Sequence, residues 1–308
     1  MAEIEGQKRK LVGVEVSVEG FKAVCIDAAG SVLETRTAAF DRTRGTVEQL
    51  GAFLSGLRAA FGDFETVGVA VPGLIDSDTH RVAFSANIPE HSLIDLAGGL
   101  QEASGIAAVI ENDANAAAYG EFRLGAGRGS RDMFYATLGS GVGGAFIFDG
   151  KIWRGKAGFA GEFGYVAINS EGVRLEEVAS SGNIVRRTRS RFKQDHTSSL
   201  GSLREESIGI ADIIAAAETE DDLTRMMLVR TGEYVGTAIS SVINLLNIET
   251  IVIGGEIMDA RHLVLDAVIS RAKELSFGPS FVGTKIFGGE LSGNAAAIGV
   301  ALIADEGQ

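Results

Sequence analysis

The sequence predicts an α/β protein built from two similar halves. Two segments of equal length share one layout: "LVGVEVSVEGFKAVCID", Leu11 to Asp27, and "MFYATLGSGVGGAFIFD", Met133 to Asp149. In each, an apolar strand meets a tight turn, a second strand follows, and an Asp/Gly turn closes the hairpin. A repeat spaced by more than about 100 residues marks two similar domains, not a solenoid. Helical patterns then alternate with further strands, which argues α/β. The chain has 308 residues, 45% of them apolar, with 41 glycines and 3 prolines. That composition suits a sizeable core with many tight turns, and one large or two medium domains.

The elements follow in order. After the first hairpin, "TVEQLGAFLSGLRAAFG" (46–62) repeats apolar residues at helical spacing. "VGVAVPGLID" (67–76) reads as a buried strand ending in a Pro-Gly turn. Ile106–Ile110 is a short apolar strand running into an alanine-rich helix. Beyond the second hairpin, residues 188–208 are polar and mixed in charge, as in a mobile surface segment or a poorly packed helix. Residues 221–247 read as one or two long helices. "ETIVIGGEI" (249–257) is a buried strand ending in a glycine turn, and "NAAAIGVALIAD" (294–305) a closing helix.

Composition excludes several functions. A net charge of −13 and a pI near 4.9 repel phosphate backbones, so no direct nucleic-acid partner is expected; "KRK" at 8–10 is too short to reverse this. The one cysteine, Cys25, rules out an internal disulfide and sits in an apolar run as a buried bystander. The first ten residues are polar, with two acids among them, unlike a signal peptide, and no apolar run reaches membrane-spanning length. A cytoplasmic protein without a membrane partner is the expectation.

The stretch "IENDANAAAYGE" (110–121) puts Glu111, Asn112 and Asp113 at a strand-to-helix junction. One such residue suffices to cap a helix and meet its dipole. Three, with Asn115 as a fourth polar group, point to chemistry beyond capping.

Five stretches in order carry a resemblance: "VAVPGLID", "IENDANAAAYGE", "LGSGVGGAFIFDGKIWRGKAGFAGEFGYVAI", "NLLNIETIVIGG" and "AAAIGVALIA". Together they resemble the ROK family of bacterial sugar kinases and sugar-responsive repressors. The resemblance implies an actin-like, hexokinase-like (ribonuclease H-like) pair of domains around a cleft. We expect a smaller N-terminal domain from 1–120 plus 294–308 and a larger one from 121–293. It also implies ATP-dependent phosphoryl transfer to a hexose or amino-sugar hydroxyl, with Asp113 as the base. A base within hydrogen-bond reach of the sugar hydroxyl is what such transfer needs. By position, Gly73, Asn87, Asn112, Glu162 and Glu176 match sugar-site residues, although Glu177 beside Glu176 leaves that register open by one. Carboxylates hold hydroxyls well because they accept hydrogen bonds strongly. Gly139, Ser140 and Gly141 match a phosphate turn, where glycines let backbone N–H groups approach an anion. Gly254 and Gly255 match a turn near the adenosine. A plain backbone turn is the competing reading of both glycine stretches. ATP with Mg2+ is the implied cofactor.

The chain departs from the family pattern twice. A zinc site of one His and three Cys is replaced by Tyr165 and a stretch with no Cys, so no zinc is expected. Tyr165 either alters sugar selection or is a plain core aromatic. In the first hairpin, the Asp-x-Gly-Gly-Thr turn of the family's kinases is "EVSVEG", residues 15–20. Glu15 keeps a carboxylate; Val18 and Glu19 add bulk and charge where phosphate should approach. Two unit charges ~4 Å apart cost about 1 kcal/mol in water and about 4 at an effective dielectric of 20. Hence a second reading stands beside the kinase: a non-catalytic sugar sensor on a degenerate kinase scaffold. A repressor's additional DNA-reading domain is not expected before the first strand, and a homodimer is, dimers being common among soluble homo-oligomers.

Overall fold

The computed structural model describes residues 9–86, 88–192 and 197–307, with the side chain of Arg261 excepted. Two compact units emerge, 1–128 with 151–160 and 294–308, and 129–150 with 161–293.

The first unit opens with the expected hairpin, β1 (Lys10–Val16) and β2 (Gly20–Asp27), paired in register from Lys10↔Asp27 to Val16↔Phe21. A third antiparallel strand, β3 (Val32–Ala39), extends it. It is mostly exposed, so its apolar alternation is weak, and periodicity does not single it out. Then come α1 (Thr46–Phe61), β4 (Thr66–Val71), the short β5 (Leu74–Ile75) and β6 (Val82–Phe84), and α2 (Leu96–Ser104). β7 (Ala107–Asn112) leads directly into α3 (Asp113–Leu124). The sheet runs β3-β2-β1-β4-β7. Parallel pairing sets Glu15 opposite Ala70 and Ala70 opposite Glu111, a row across three strands. Val12, Val14 and Val16 meet Leu50, Leu54, Leu57, Leu96 and Leu100 of α1 and α2 in one core, which also holds Cys25.

The second unit repeats the hairpin as β8 (Met133–Leu138) and β9 (Val142–Phe148). β10 (Lys151–Trp153) continues that sheet, in the order β10-β9-β8-β11-β12. The helices α4 (Glu176–Ala179), α5 (Ser181–Phe192), α6 (Ile210–Glu218) and α7 (Asp222–Leu246) precede β11 (Thr250–Gly254). After α8 (Arg261–Leu275), α9 (Gly278–Val282) and β12 (Lys285–Gly288), the chain enters α10 (Ala295–Glu306), which belongs to the first unit. The 221–247 segment is thus a single helix of 25 residues, capped by Asp221, whose carboxylate accepts from the Thr224 N–H. The polar stretch 188–208 is partly the end of α5; the 3₁₀ turn at Ser199–Ser202 anchors itself with buried Leu200.

The units differ from the expected boundaries. They are of nearly equal length, and residues 121–128 and 151–160 group with the first. Two contacts explain this. α3 runs unbroken to Leu124 and packs along α10. Residues 154–158 bond to the first unit through Arg154 and Glu111 and through the Ser77 N–H to the Ala157 carbonyl.

Gly13 of β1 and Gly68 of β4 face α10, where a Cβ would run into the Ala297 and Val300 carbonyls. Gly120 of α3 and Gly299 of α10 cross in the same way. Small residues at these points let backbone lie on backbone.

Candidate active site

The β7–α3 junction gathers polar groups, with Glu111 and Asn115 buried. Glu111 and Asn112 finish the strand, and Asp113 begins the helix. Asn112 caps α3: its Oδ1 accepts the Asn115 N–H at 3.0 Å. Its amide donates to the Gly73 carbonyl at 2.9 Å and to Asp113 Oδ1 at 3.1 Å. The Ala114 N–H donates to the same Asp113 oxygen at 2.9 Å. Two bonds therefore fix one carboxylate oxygen of Asp113. Gly73, Asn112 and Asp113 are brought together as the sequence implies. Gly73 has φ +145, a conformation open to glycine, and Ser85 lies directly against it. Asn87 lies outside the described residues. Buried Ser85 donates to the Pro72 carbonyl and accepts from the Ile88 N–H.

Sequence reasoning assigned no role to Glu111. It is 4% exposed, and its carboxylate accepts from Arg154 Nη2 at 2.6 Å and Nε at 3.1 Å. Its other oxygen accepts from the Asn112 N–H and the Asn115 side-chain amide at 2.8 and 3.0 Å. Arg154 was missed because it lies 43 residues along, beyond any helical or strand period. The acid at 111 in an apolar strand was the available signal.

Glu15, on β1 opposite Lys22, has its carboxyl pushed up by burial, a shift that Lys22 partly offsets. At the hairpin tip, the Ser17 hydroxyl accepts from the Glu19 and Gly20 N–H groups, both at 3.2 Å. The Ser17 N–H donates to the Gly20 carbonyl at 2.9 Å. Val18 packs against the core, and Glu19 is exposed.

In the second unit, Gly139, Ser140 and Gly141 form a turn closed by the Gly139 N–H on the Gly141 carbonyl at 3.0 Å, with Ser140 exposed. The first residue of α5, Ser181, donates its N–H to the Gly139 carbonyl at 2.8 Å. Its hydroxyl donates to Glu256 Oε1 at 2.5 Å. Gly254 and Gly255 come in beside this turn; Gly255, at φ +94, lies against Leu138, the residue before Gly139. Ser181 and Glu256 were not foreseen, since each contributes through contacts distant in sequence.

Glu176 accepts the Val142 N–H at 2.9 Å, under the same turn. Glu177 instead accepts the Arg174 N–H at 2.9 Å, so Glu176 is the acid that faces the turn. Glu162 is exposed overall; the desolvation its carboxyl does suffer, and then the Glu176 charge, raise its pKa. Tyr165 is no core aromatic: it is 60% exposed, and the Arg174 guanidinium lies 4.5 Å from its ring centroid. Among the described residues, no group of three His, Cys, Asp or Glu is placed to hold a metal. No helix among them is long and apolar enough to cross a membrane.

The chain is similar to a glucokinase of Halalkalibacterium halodurans, at 30% identity over 279 residues covering 84% of each chain. It is 26% identical to a xylose repressor of Bacillus subtilis over 95% of this chain and 76% of the repressor. The crystal structure of a ROK family glucokinase from Streptomyces griseus, in complex with glucose and AMPPNP, superposes with a TM-score of 0.85 at 28% identity. That match covers 97% of this chain and 100% of the other. The fold is therefore the actin-like, hexokinase-like pair of α/β domains. The sequence model of the ROK family matches residues 11–306, through both hairpins, the Asp113 junction and the closing helix, and the chain is a member of that family.

Proposed function

We propose that this ROK-family, sugar kinase-like protein transfers phosphoryl from ATP to a hydroxyl of a hexose or amino sugar, with Asp113 as the general base. The observation that carries the reading is the fixed Asp113 carboxylate, with Asn112 and the Ala114 N–H on one oxygen. A carboxylate so oriented at a strand end can accept a hydroxyl proton as the oxygen becomes nucleophilic. Asn112 spends its amide on Gly73 and Asp113, so its further part toward a sugar is one acceptor lone pair. Glu162 and Glu176 hold ring hydroxyls in this reading, Asn87 and Gly73 complete the sugar contacts, and Tyr165 alters sugar selection.

ATP supplies the phosphoryl group, with Mg2+ to neutralise its charge. The residues that would hold it are the Gly139–Gly141 turn, the N-terminus of α5 behind it, and Gly254–Gly255. The fit is good on that side: backbone glycines and a helix N-terminus suit an anion. It is poor at the first hairpin, where the N–H groups of Glu19 and Gly20 are already taken by Ser17. This last observation favours the second reading, a sugar sensor without turnover. ADP release against a panel of hexoses and N-acetylhexosamines separates the two. Sugar-dependent ADP formation is expected; sugar binding by calorimetry with no ADP release would replace the kinase with the sensor. The reading carries with it a cytoplasmic location and a homodimer, the latter checked by light scattering.

A further inference from the structure

Capping of α3 needs Asn112 alone, yet the junction also buries an ion pair. Glu111 sits between two sets of donors. One oxygen takes both Arg154 bonds, and the other takes the Asn112 N–H and the Asn115 amide. Asn115 is itself buried, and its N–H returns to Asn112 Oδ1. Asn112 then donates to Asp113. An unbroken path of hydrogen bonds thus runs from Arg154 through Glu111, Asn115 and Asn112 to the Asp113 carboxylate.

We infer that Glu111 and Arg154 are a positioning pair for Asp113: the arginine grips one oxygen of Glu111 through Nε and Nη2, so that the other oxygen can fix both asparagines that orient the base. The inference rests on the reading of Asp113 as the base. Neither residue touches a reacting atom. A buried carboxylate is stable only when paired and fully hydrogen-bonded, and Arg154 supplies the planar fork this requires. The pairing has an electrostatic side. Glu111 lies two residues from Asp113, and an unneutralised charge there would raise the proton affinity of Asp113. Other charged groups lie near the junction, and buried Glu121 of α3 accepts the Ala126 N–H. Glu15, in the same sheet row, faces Lys22 across the hairpin. Arg123 of α3 pairs with Glu306 of α10.

Three variants test this: Arg154→Leu, Arg154→Lys, and the double variant Glu111→Gln with Arg154→Leu. Hydrogen exchange of residues 112–115 reads the positioning directly and needs no turnover. In Arg154→Leu these amides should exchange about tenfold faster or more while β4 and the second half of α3 keep their protection. Kinetics with the best sugar should show kcat down about 100-fold, as for a misplaced catalytic group, with KM changed less than about threefold. The acid limb of the kcat profile should move to higher pH in Arg154→Leu and return in the double variant, which carries neither charge. Arg154→Lys should recover part of kcat and, if Arg154→Leu does not fold, carries the same comparison. A general loss of packing would not move the acid limb and restore it. Unchanged exchange at residues 112–115 overturns the inference, whether or not the wild type is active. Absence of ADP from the wild type with every sugar overturns the kinase reading alone, and exchange still decides the pair.

Discussion

Asp113 is one side chain held by two donors on one oxygen, and its replacement isolates proton acceptance from shape. Asp113→Asn keeps the size and one acceptor but cannot take a proton. We expect kcat to fall about 10²–10⁴-fold, the usual worth of general-base catalysis, with sugar affinity by calorimetry within a fewfold. Turnover within twofold of the wild type would remove Asp113 from the mechanism. At the same scale, His91 is fully buried, and neither ring nitrogen has a hydrogen-bond partner among the described residues. Burial pushes its pKa below its ordinary value of 6.5, against a smaller opposite push from Glu90. The unfolded chain thus binds the proton more readily than the folded one. Stability is full above about pH 6.5 and declines as pH falls toward the lowered folded value. His91→Leu should remove that slope and raise stability by about 1–3 kcal/mol, the cost of an unpaired buried polar group. Urea titrations at pH 5.5 and pH 8 measure both; an unchanged slope would mean that the imidazole is not the group responsible. Individual residues were legible where they formed a short word, as in "ENDAN". They were illegible where the partner, like Arg154 or Glu256, arrives from another part of the chain.

The first hairpin keeps the strand–turn–strand shape while its tip bonds to itself. Both hairpins were readable from alternation, and both formed in register. The turn between β1 and β2 is closed on itself by Ser17. Glu19 is exposed, so water screens its charge and its repulsion of an anion stays near the lower figure, about 1 kcal/mol. Val18→Gly with Glu19→Thr should therefore improve ATP affinity by no more than about fivefold, while adding Ser17→Gly, which frees two N–H groups, should improve it further. Calorimetric titration of ATP into the three proteins decides this, and a large gain from the first pair alone would contradict it. Val18→Gly should also lower stability by about 1–2 kcal/mol, through lost apolar packing and added chain freedom. The strand β3 was not legible because its faces are both largely wet. The strap from Arg154 onward was not legible because nothing in its composition says which unit it joins.

For the whole molecule, the duplicated α/β plan was readable from the spacing of two hairpins, while its partition was not, because glycine contacts and one ion pair draw the boundaries. The lost zinc motif gives a molecular prediction. The stretch 161–182 has no Cys, so elemental analysis should find no stoichiometric zinc and chelator should leave the melting temperature unchanged. One tightly held zinc per chain would refute it. A second prediction concerns the seat of α10. Gly13→Ala places a Cβ against the Ala297 carbonyl, where backbone cannot yield cheaply. Overpacking of this kind costs about 1–3 kcal/mol or more, and thermal unfolding should show it as a lowered midpoint; an unchanged midpoint would mean that α10 shifts freely.

The same seat has a consequence for how the protein comes into being. Strands β1 and β4 and helix α3 are made early, but the helix that covers them begins only at Ala295, 171 positions after α3 ends at Leu124. Synthesis commonly favours the N-terminal domain folding first, at about 5–20 residues per second. Here the first unit must wait roughly 10–35 s for residues 295–306, while nearly all of the second unit has already emerged. During that interval its bare glycine-lined sheet face is the surface that a nascent-chain chaperone would meet.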